Sequence, residues 1–428
     1  MNFDKKTFIA GLALFSMFFG AGNLILPPYI GNISGESWIL VTLGFLFSGV
    51  VIPILAVMAH GKLQGTMYDF GKKVSPWFSI LFCLIIYAIA VTLPAPRTAA
   101  VTYEMAIQPF FEIGSIWVSG FYFILVMIFA LNRSKVISIL GRYLTPIIVF
   151  ILIAIILITI FSEYLPVHAR AMEQPFRTGM LEGYQTYDAI GGIVVGAVLI
   201  ISLRIAGEHD YHYNRKLING AGIISGIGLG LIYTGLILVG ASTSGEFESE
   251  IGRTALLSGV SQLTLGNAGS IFLSVLVGLA CFTTAVGIVT GTADYFKGLF
   301  NESDQVYRST VIISCILGVL IGQFDVHYII VVAIPVLMFI YPLTIIMILL
   351  NVLPDRWINK ITFRVVVVVT LLFSIPDFLG SVGVDGPLVS VKSILPLGSM
   401  SLGWLLPAVL AFILSTAITN MKKEVDIQ

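Results

Sequence analysis

The chain has 428 residues, of which 57% are apolar and 11% are charged, and its formal net charge is zero. A soluble domain has about 25% charged residues, so this chain has too few charges to cover a water-facing surface. The neutral balance, without a basic block, gives no candidate surface for nucleic acid. The three cysteines each lie inside an apolar stretch, which is typical of small buried side chains and excludes a disulfide framework or a zinc site.

Twelve apolar stretches follow one another along the chain, and most are long enough to cross a bilayer core as a helix. The composition therefore predicts an all-α integral membrane protein that is embedded in the lipid bilayer. The first stretch begins like a secretory signal, but it stays apolar well past the point of cleavage, so we expect it to be retained. We predict the spans at residues 7–31, 37–59, 76–98, 114–132, 143–162, 184–206, 217–242, 267–296, 309–322, 326–350, 363–380 and 399–420.

Lys and Arg residues are enriched in the cytoplasmic loops of membrane proteins. If both termini are cytoplasmic, 18 of the 23 basic residues fall on the inner side of the predicted topology. We therefore predict a multi-pass protein of a cytoplasmic membrane with both termini inside. The longest connections, at residues 163–183, 243–266 and 381–398, are read as loops, because none is long enough to form a soluble core.

The first span contains residue types that disfavour a continuous helix. Gly20 and Gly22 each cost about 1 kcal/mol relative to alanine in a helix, and the Pro pair that follows removes two amide donors. A break at residues 20–23 would offer amides to a carboxylate and carbonyls to an ammonium group or a metal cation. The alternative is a proline-kinked helix whose glycines allow close packing.

The sixth span carries an acid, Asp188, and the pair Gly191-Gly192 in its early part. The first and sixth spans are five apart and cross the membrane in opposite directions. Two interruptions at corresponding positions of inverted halves indicate a substrate site near the midplane. Asp188 has two interpretations, a functional acid within the membrane or a cap on the second half of its helix.

The eighth span places Ala280, Thr283 and Thr284 on one helix face, because residues i, i+3 and i+4 are neighbours there. One carbonyl and two hydroxyls, without an acid, suit a weakly held monovalent cation better than zinc. The alternative is that both hydroxyls bond back to carbonyls of their own helix.

The third span adds three polar residues. Arg97 follows two prolines near the predicted outer end, with Glu104 two turns further on the same face. We predict that this charged pair lines an outer vestibule or forms a gate, although Arg97 snorkelling to the headgroups is the alternative. Tyr87 is a candidate hydroxyl donor to a substrate carboxylate, with packing in a helix interface as its alternative.

Together these segments resemble the bacterial branched-chain amino acid:cation symporter family, the branched-chain amino acid transport system II carrier proteins. The resemblance is carried by residues 19–28, 94–97 and 186–189 and by the Thr pair at 283–284, and it extends over essentially the whole chain. It implies uptake of leucine, isoleucine and valine, coupled to sodium or less often to protons, across the bacterial cytoplasmic membrane.

The resemblance also implies a fold of the LeuT type. Two inverted repeats of five helices each would occupy residues 1–162 and 163–355, with helices 1 and 6 broken, and two further helices would occupy residues 356–428. A sodium site would combine the carbonyls of Ser16 and Phe19 with Ala280, Thr283 and Thr284. The candidate substrate-binding residues are Gly20, Ala21, Gly22, Asn23, Tyr87, Asp188, Ala189, Ile190, Gly191 and Gly192.

The resulting hypothesis is a secondary carrier that functions as a monomer, with Na+ as its coupling ion and without an organic cofactor. The alternatives are an amino-acid channel or receptor on the same scaffold, or a carrier of other small neutral amino acids. The sequence has no nucleotide-binding loop and no catalytic motif, which disfavours an ATP-driven pump or a membrane enzyme.

Overall fold

A computed structural model describes residues 5–132, 136–161, 167, 170, 172–205, 207–248, 250–384, 386, 391–392 and 394–425. These residues form helices without any β-strand, so the prediction of an all-α chain is confirmed for this part of the sequence. The helices are α1 (Lys5–Phe18), α2 (Ala21–Ser34), α3 (Trp38–Leu46), α4 (Ile52–Leu63), α5 (Met67–Gly71), α6 (Pro76–Thr92), α7 (Pro94–Thr102), α8 (Ser115–Asn132), α9 (Val136–Ile160), α10 (Pro175–Tyr184), α11 (Asp188–Ile205), α12 (Tyr211–Ser242), α13 (Arg253–Leu299), α14 (Asp304–Gly322), α15 (Val326–Val352), α16 (Lys360–Ser381) and α17 (Leu405–Val425).

Within the described residues, eight continuous helical stretches are long and apolar enough to cross a membrane, and the bent pair α10 and α11 forms a ninth. Large apolar side chains cover the outside of the bundle; Trp77 is 82% exposed and Phe161 is 84% exposed. Such a surface is unfavourable in water and favourable against lipid tails. The chain is therefore a multi-pass membrane protein, whereas the number twelve and the division into two repeats stay predictions.

Two predicted loops contain helices. The segment predicted as a loop at 243–266 includes the first part of α13, which continues beyond a left-handed Gly266 (φ +70°). The segment predicted as a loop at 163–183 includes most of α10. Both predictions are wrong because hydropathy detects only segments of membrane-spanning length. The first part of α13 is amphipathic instead, since it buries Leu256, Leu257 and Val260.

The helices α2 and α10 are held by close contacts between helix backbones. A Cβ atom built on Gly44 of α3 would lie 2.8 Å from the Met180 amide of α10, and one on Gly179 would press on α3 in return. Likewise, a Cβ atom on Gly31 of α2 would lie 2.8 Å from the Ile237 carbonyl carbon of α12. Glycine is required at these crossings because the helices lie too close together for any side chain.

Apolar side chains fill the space around these crossings. One cluster packs α1 and α2 against α12 and includes Leu24, Ile25 and Leu236, all fully buried. A second cluster packs α10 and α11 against α15. The three cysteines are free and buried, as predicted. The two clusters therefore hold α1, α2, α10 and α11 in fixed positions inside the bundle.

Candidate functional site

Two short non-helical segments meet inside the bundle. The first break, Phe19 and Gly20, separates α1 from α2. The second break, residues 185–187, separates α10 from α11, and the two helices are bent by 43° there. The first break overlaps the interruption predicted at residues 20–23 only at Gly20, because Ala21 already begins the helix that follows it.

A buried hydrogen-bonded triad joins the helices that follow the two breaks. Asn23, in the first turn of α2, donates from Nδ2 to Asp188 Oδ2 at 2.6 Å. Asn23 also donates to the hydroxyl of Tyr233 of α12, and that hydroxyl lies 3.5 Å from the same carboxylate oxygen. All three side chains are buried. The triad Asn23–Asp188–Tyr233 therefore ties α2, α11 and α12 together at one point.

The contacts of Asp188 favour one of its two interpretations. Asp188 is the first residue of α11, where a negative charge is favourable beside the helix N-terminus. Its amide donates to Thr186 Oγ1 at 3.2 Å. Its carboxylate accepts from side chains of α2 and α12, so it links elements instead of serving as a simple cap, while its role in binding stays a prediction.

Arg97 lies between the two breaks. Its side chain is 3% exposed, and Nη1 donates to the Gln185 carbonyl at 2.7 Å. Its guanidinium carbon is 5.1 Å from the centroid of the Tyr187 ring. A Cβ atom built on Gly22 would overlap with Nη2. The site thus contains a cation that the sequence interpretation had placed at the outer end of the third span.

Both interpretations of Arg97 made from the sequence are wrong, since the residue neither snorkels nor pairs with Glu104. Glu104 instead accepts hydrogen bonds from Thr254 Oγ1 at 2.5 Å and from the Val326 amide at 2.7 Å. The error arose because the span was predicted to end at residue 98, just after Arg97. Pro94 begins α7, which continues the span through a π-helical segment to Ile107, so its first turn lies within the bundle.

The second break is formed by an unusual backbone conformation. Tyr187 has φ +62°, a left-handed conformation that is rare and strained for a bulky residue. It ends the turn begun by Tyr184, whose carbonyl accepts from the Tyr187 amide at 3.1 Å. The Gln185 carbonyl is left outside the helix and is the acceptor for Arg97.

Gly191 and Gly192 do not form the interruption predicted for them. Both lie inside α11, and Gly192 packs against α4, where a Cβ atom would lie 2.7 Å from the Pro53 carbonyl oxygen. A Cβ atom on Gly191 would meet no other atom within 4 Å, so this residue borders open space. Ala189 and Ile190 are buried in the first turn of α11. Only Gly192 gives close helix packing, and the break lies earlier in the sequence than either glycine.

Tyr87 is part of a helix interface. Its ring stacks on Tyr295 of α13, with the centroids 4.5 Å apart. It also lines a cavity of about 590 Å³ between α6, α13 and α14, whose lining includes none of the residues of the two breaks. Packing in a helix interface is the alternative that the sequence left open for Tyr87.

The candidate cation ligands lie beside the first break. Thr283 and Thr284 both donate to the Ala280 carbonyl, at 2.9 and 3.0 Å, as in the alternative interpretation. Each hydroxyl oxygen keeps a lone pair, so this bonding does not prevent it from binding a cation. A Cβ atom on Gly20 would lie 3.5 Å from Thr284 Oγ1, which places this hydroxyl against the break.

The other two predicted ligands are close in sequence to that break. Ser16 lies in the last turn of α1, and Phe19 is the first residue after it. The Phe19 amide still donates to the Phe15 carbonyl at 2.9 Å, so the helical ladder ends there. Sodium binding by this set of oxygens stays a prediction.

Sequence reasoning missed Tyr233 and the Gln185 carbonyl. Tyr233 lies within the long apolar helix α12, and a tyrosine hydroxyl at this depth in the span was the one available signal. The Gln185 carbonyl could not be found from the residue type, because every residue carries a carbonyl and only the backbone conformation frees this one.

The chain matches one protein family along nearly its full length. A sequence profile of the family described as branched-chain amino acid transport protein matches residues 3–422. The branched-chain amino acid transport system 2 carrier protein of Pseudomonas aeruginosa is 32% identical over 419 residues, which cover 96% of this chain and 95% of that protein. The branched-chain amino acid permease BrnQ of Bacillus subtilis is 31% identical over 416 residues, 94% of each chain.

Solved structures share the fold at low sequence identity. MhsT in complex with L-phenylalanine has a TM-score of 0.58 and 16% identity, and the match covers 96% of this chain and 97% of that one. The inward-facing conformation of Mhp1 has a TM-score of 0.64 and 11% identity, with 97% and 91% covered. This likeness confirms the predicted LeuT-like class of fold, and the sequence relatives establish the kinship: the chain belongs to the branched-chain amino acid transport protein family.

Proposed function

We propose that the chain is a secondary carrier that imports leucine, isoleucine and valine by symport with Na+. Its family membership supports the substrate class, because the relatives are named as carriers and permeases for branched-chain amino acids. The single observation that carries the site is the buried 2.6 Å hydrogen bond between Asn23 and Asp188. It brings the helix starts behind both breaks to one point, as a midplane substrate site requires.

The chemistry of the two breaks matches a zwitterion. The cap of α2 at Gly20 makes no side-chain hydrogen bond, so the first amides of α2 are available to an anion. Asp188 and the carbonyls released at the breaks are acceptors for an ammonium group. Both ends of an amino acid must be paired when it is buried, because an unpaired charge in an apolar interior is very costly.

The proposed sodium site is formed by the carbonyl of Ala280 and the hydroxyls of Thr283 and Thr284, with the carbonyls of Ser16 and Phe19. A cation shared by these groups would connect α13 to the end of α1 and would order the first break. The energetics suffice with one ion. A 100-fold accumulation needs about 2.7 kcal/mol, and one charge moving across 100 mV supplies about 2.3 kcal/mol, before any sodium gradient is counted.

Alternating access is proposed to move the broken helices as a unit with α3, α4 and α12. The glycine crossings support this grouping, since Gly44 and Gly179 join α3 to α10, and Gly31 joins α2 to α12. This unit would rock against α6–α8, α13 and α14, and so expose the two breaks to either side in turn.

The test is transport by the full-length protein in proteoliposomes. Radiolabelled leucine uptake is expected to rise with an inward Na+ gradient, and unlabelled isoleucine and valine are expected to compete. Uptake that is driven by a proton gradient and does not depend on Na+ would show that the coupling ion is the proton. Competition by alanine or serine equal to that by isoleucine would instead indicate a carrier of small neutral amino acids in general.

Counterflow separates a carrier from a channel or receptor. Vesicles loaded with unlabelled leucine are expected to concentrate labelled leucine transiently without any ion gradient. A channel would let the label equilibrate without overshoot, and a receptor would bind it without uptake. Either result would overturn the proposed carrier function.

A further inference from the structure

Arg97 is a buried cation whose described hydrogen bonding leaves most of its donors unused. A guanidinium carries five N–H donors. Nη1 donates to the Gln185 carbonyl, while Nε is buried without a partner. No carboxylate among the described residues lies within 4 Å of its nitrogen atoms. A carboxylate bound beside Arg97 would therefore gain hydrogen bonds that no described carboxylate of the chain supplies.

The surroundings of Arg97 suit a ligand carboxylate. Nη2 lies beside Gly22, where the absence of a side chain leaves the guanidinium next to the uncapped start of α2. A helix N-terminus and a guanidinium that face the same space form an anion-binding site of two independent parts.

We infer that Arg97 binds the α-carboxylate of the transported amino acid directly. This inference rests on the proposed function and assigns the recognition of the carboxylate to a side chain of α7, in addition to the backbone amides of α2. Asp188 and its partner Asn23 then face the ammonium end, so that the zwitterion lies between a guanidinium donor and a group of hydrogen-bond acceptors. A guanidinium suits this role because its planar fork matches a carboxylate.

The assignment predicts which part of the ligand is indispensable. Leucinamide keeps the ammonium group and the side chain of leucine but replaces the carboxylate with a neutral amide. It is expected to bind at least about 30-fold more weakly than leucine, because loss of one partner of a buried, hydrogen-bonded charge pair has effects of this size.

The experiment measures displacement of radiolabelled leucine from the purified full-length protein by leucine and by leucinamide. In Arg97→Gln the preference for leucine over leucinamide is expected to fall to within about threefold, because the positive charge that binds the carboxylate is gone. Arg97→Lys keeps the charge without the fork and is expected to retain part of the preference. The matched control is Arg364→Gln, since Arg364 also donates to one backbone carbonyl, that of Val74, at 2.7 Å, and lies in α16 outside the site.

The ratio of the two affinities separates recognition from folding, since a purely structural role of Arg97 would weaken both ligands equally. An unchanged preference in Arg97→Gln would overturn the inference. If that variant does not fold, the wild-type protein still decides, because equal binding of leucine and leucinamide would exclude a carboxylate-binding Arg97. Failure of the proposed function is distinguishable, since the wild-type protein would then bind neither leucine nor its analogue.

Discussion

A methyl group at Gly22 would occupy space that the Arg97 guanidinium now fills. Gly22→Ala is therefore expected to displace Arg97 and to weaken leucine binding roughly 5- to 150-fold, because overpacking of this kind costs 1–3 kcal/mol. The measurement is the Kd of leucine for the purified variant, with its thermal unfolding as a check on folding.

Gly230→Ala is the matched control for this substitution. Gly230 also lies in a helix, α12, but a Cβ atom there would meet nothing within 4 Å. The control is expected to bind leucine as the wild-type protein does. Equal affinity in Gly22→Ala would show that the guanidinium does not need its present position.

The hydroxyl of Thr284 is the candidate ligand nearest to the first break. Thr284→Ala is expected to raise the Na+ concentration for half-maximal leucine uptake roughly tenfold, which corresponds to 1.4 kcal/mol for the lost oxygen ligand. Thr290→Ala is the control, because Thr290 has the same kind of bond to its own helix, 2.8 Å from the Val286 carbonyl. An identical sodium requirement in both variants would remove Thr284 from the cation site.

At the scale of single residues, the sequence predicted the kinds of chemical group in the site better than the positions of these groups. The residues alone did not indicate that the first break and the Thr pair lie close together. Only the family resemblance predicted this. Arg97 was misplaced because the span was predicted to end at residue 98, whereas Pro94 begins a helix that carries the chain onward to Ile107. Proline fixes φ and removes a donor, but it does not say whether the next helix turns outward or continues.

At the scale of the elements, the crossing of α3 and α10 depends on two glycines. Gly44→Ala would place a methyl group 2.8 Å from the Met180 amide and closer still to the Phe176 carbonyl. We expect a loss of about 1–3 kcal/mol in stability, because the backbone atoms of α10 cannot move aside as the end of a flexible side chain can. The check is the thermal unfolding midpoint in detergent, where Gly287→Ala, which has open space around it, is expected to match the wild-type protein.

The link between α15 and α16 is tied to the end of α4 by Asp355. Lys62 lies 2.9 Å and Lys73 3.5 Å from its carboxylate. The hydrogen bond from Lys62, and next the positive charges of both lysines, hold the pKa of Asp355 below its usual value of 3.8. Because the folded state favours the ionised carboxylate, Asp355 contributes stability at pH values above its ordinary pKa. This contribution is lost as the pH falls through the lowered pKa of the folded state.

Asp355→Asn is accordingly expected to lower stability slightly at neutral pH, by under 1 kcal/mol, roughly the value of an exposed ion pair. The difference from the wild-type protein should shrink as the pH is lowered below the ordinary carboxyl range. Unfolding midpoints of both proteins across that range are the measurement. A difference that grows towards acid pH would have the wrong sign for this ion pair.

Hydropathy located the long elements and failed on the short ones. The apolar stretches predicted most of the membrane helices, because burial in lipid needs a continuous run of such residues. It missed the first part of α13 and most of α10, where an amphipathic pattern packs on the bundle instead. The Gly191-Gly192 pair was taken for a break because composition alone does not distinguish a flexible segment from a close helix contact.

At the scale of the whole molecule, the proposed sodium and substrate sites are coupled through the first break. Binding that depends on one ordered state must be reciprocal, so Na+ should tighten leucine binding by the same factor as leucine tightens Na+ binding. Each ligand alone is expected to raise the unfolding midpoint modestly, and both together more than the sum, since native-state binding stabilises by RT ln(1 + [L]/Kd). Strictly additive midpoints would contradict a shared break.

The class of fold was predictable from the sequence because composition indicated a helical membrane protein and the resemblance supplied the LeuT-like type. Composition gives a helical membrane protein, but nothing in periodicity says that α2 crosses α12 or that α10 crosses α3. Those crossings are set by backbone contacts such as Gly31 on Ile237, and a lone glycine in an apolar span is too common to indicate them.

The glycine crossings also bear on how a genetic screen of this protein would be understood. A selection for lost leucine uptake would return alanine or serine substitutions at Gly31, Gly44, Gly179 and Gly240, although each lies at a helix crossing rather than at either break. These alleles would change the spacing between the helices without altering the identity of any ligand-facing residue. Loss of growth on leucine therefore does not mark a contact residue until the purified variant has been shown to keep its fold.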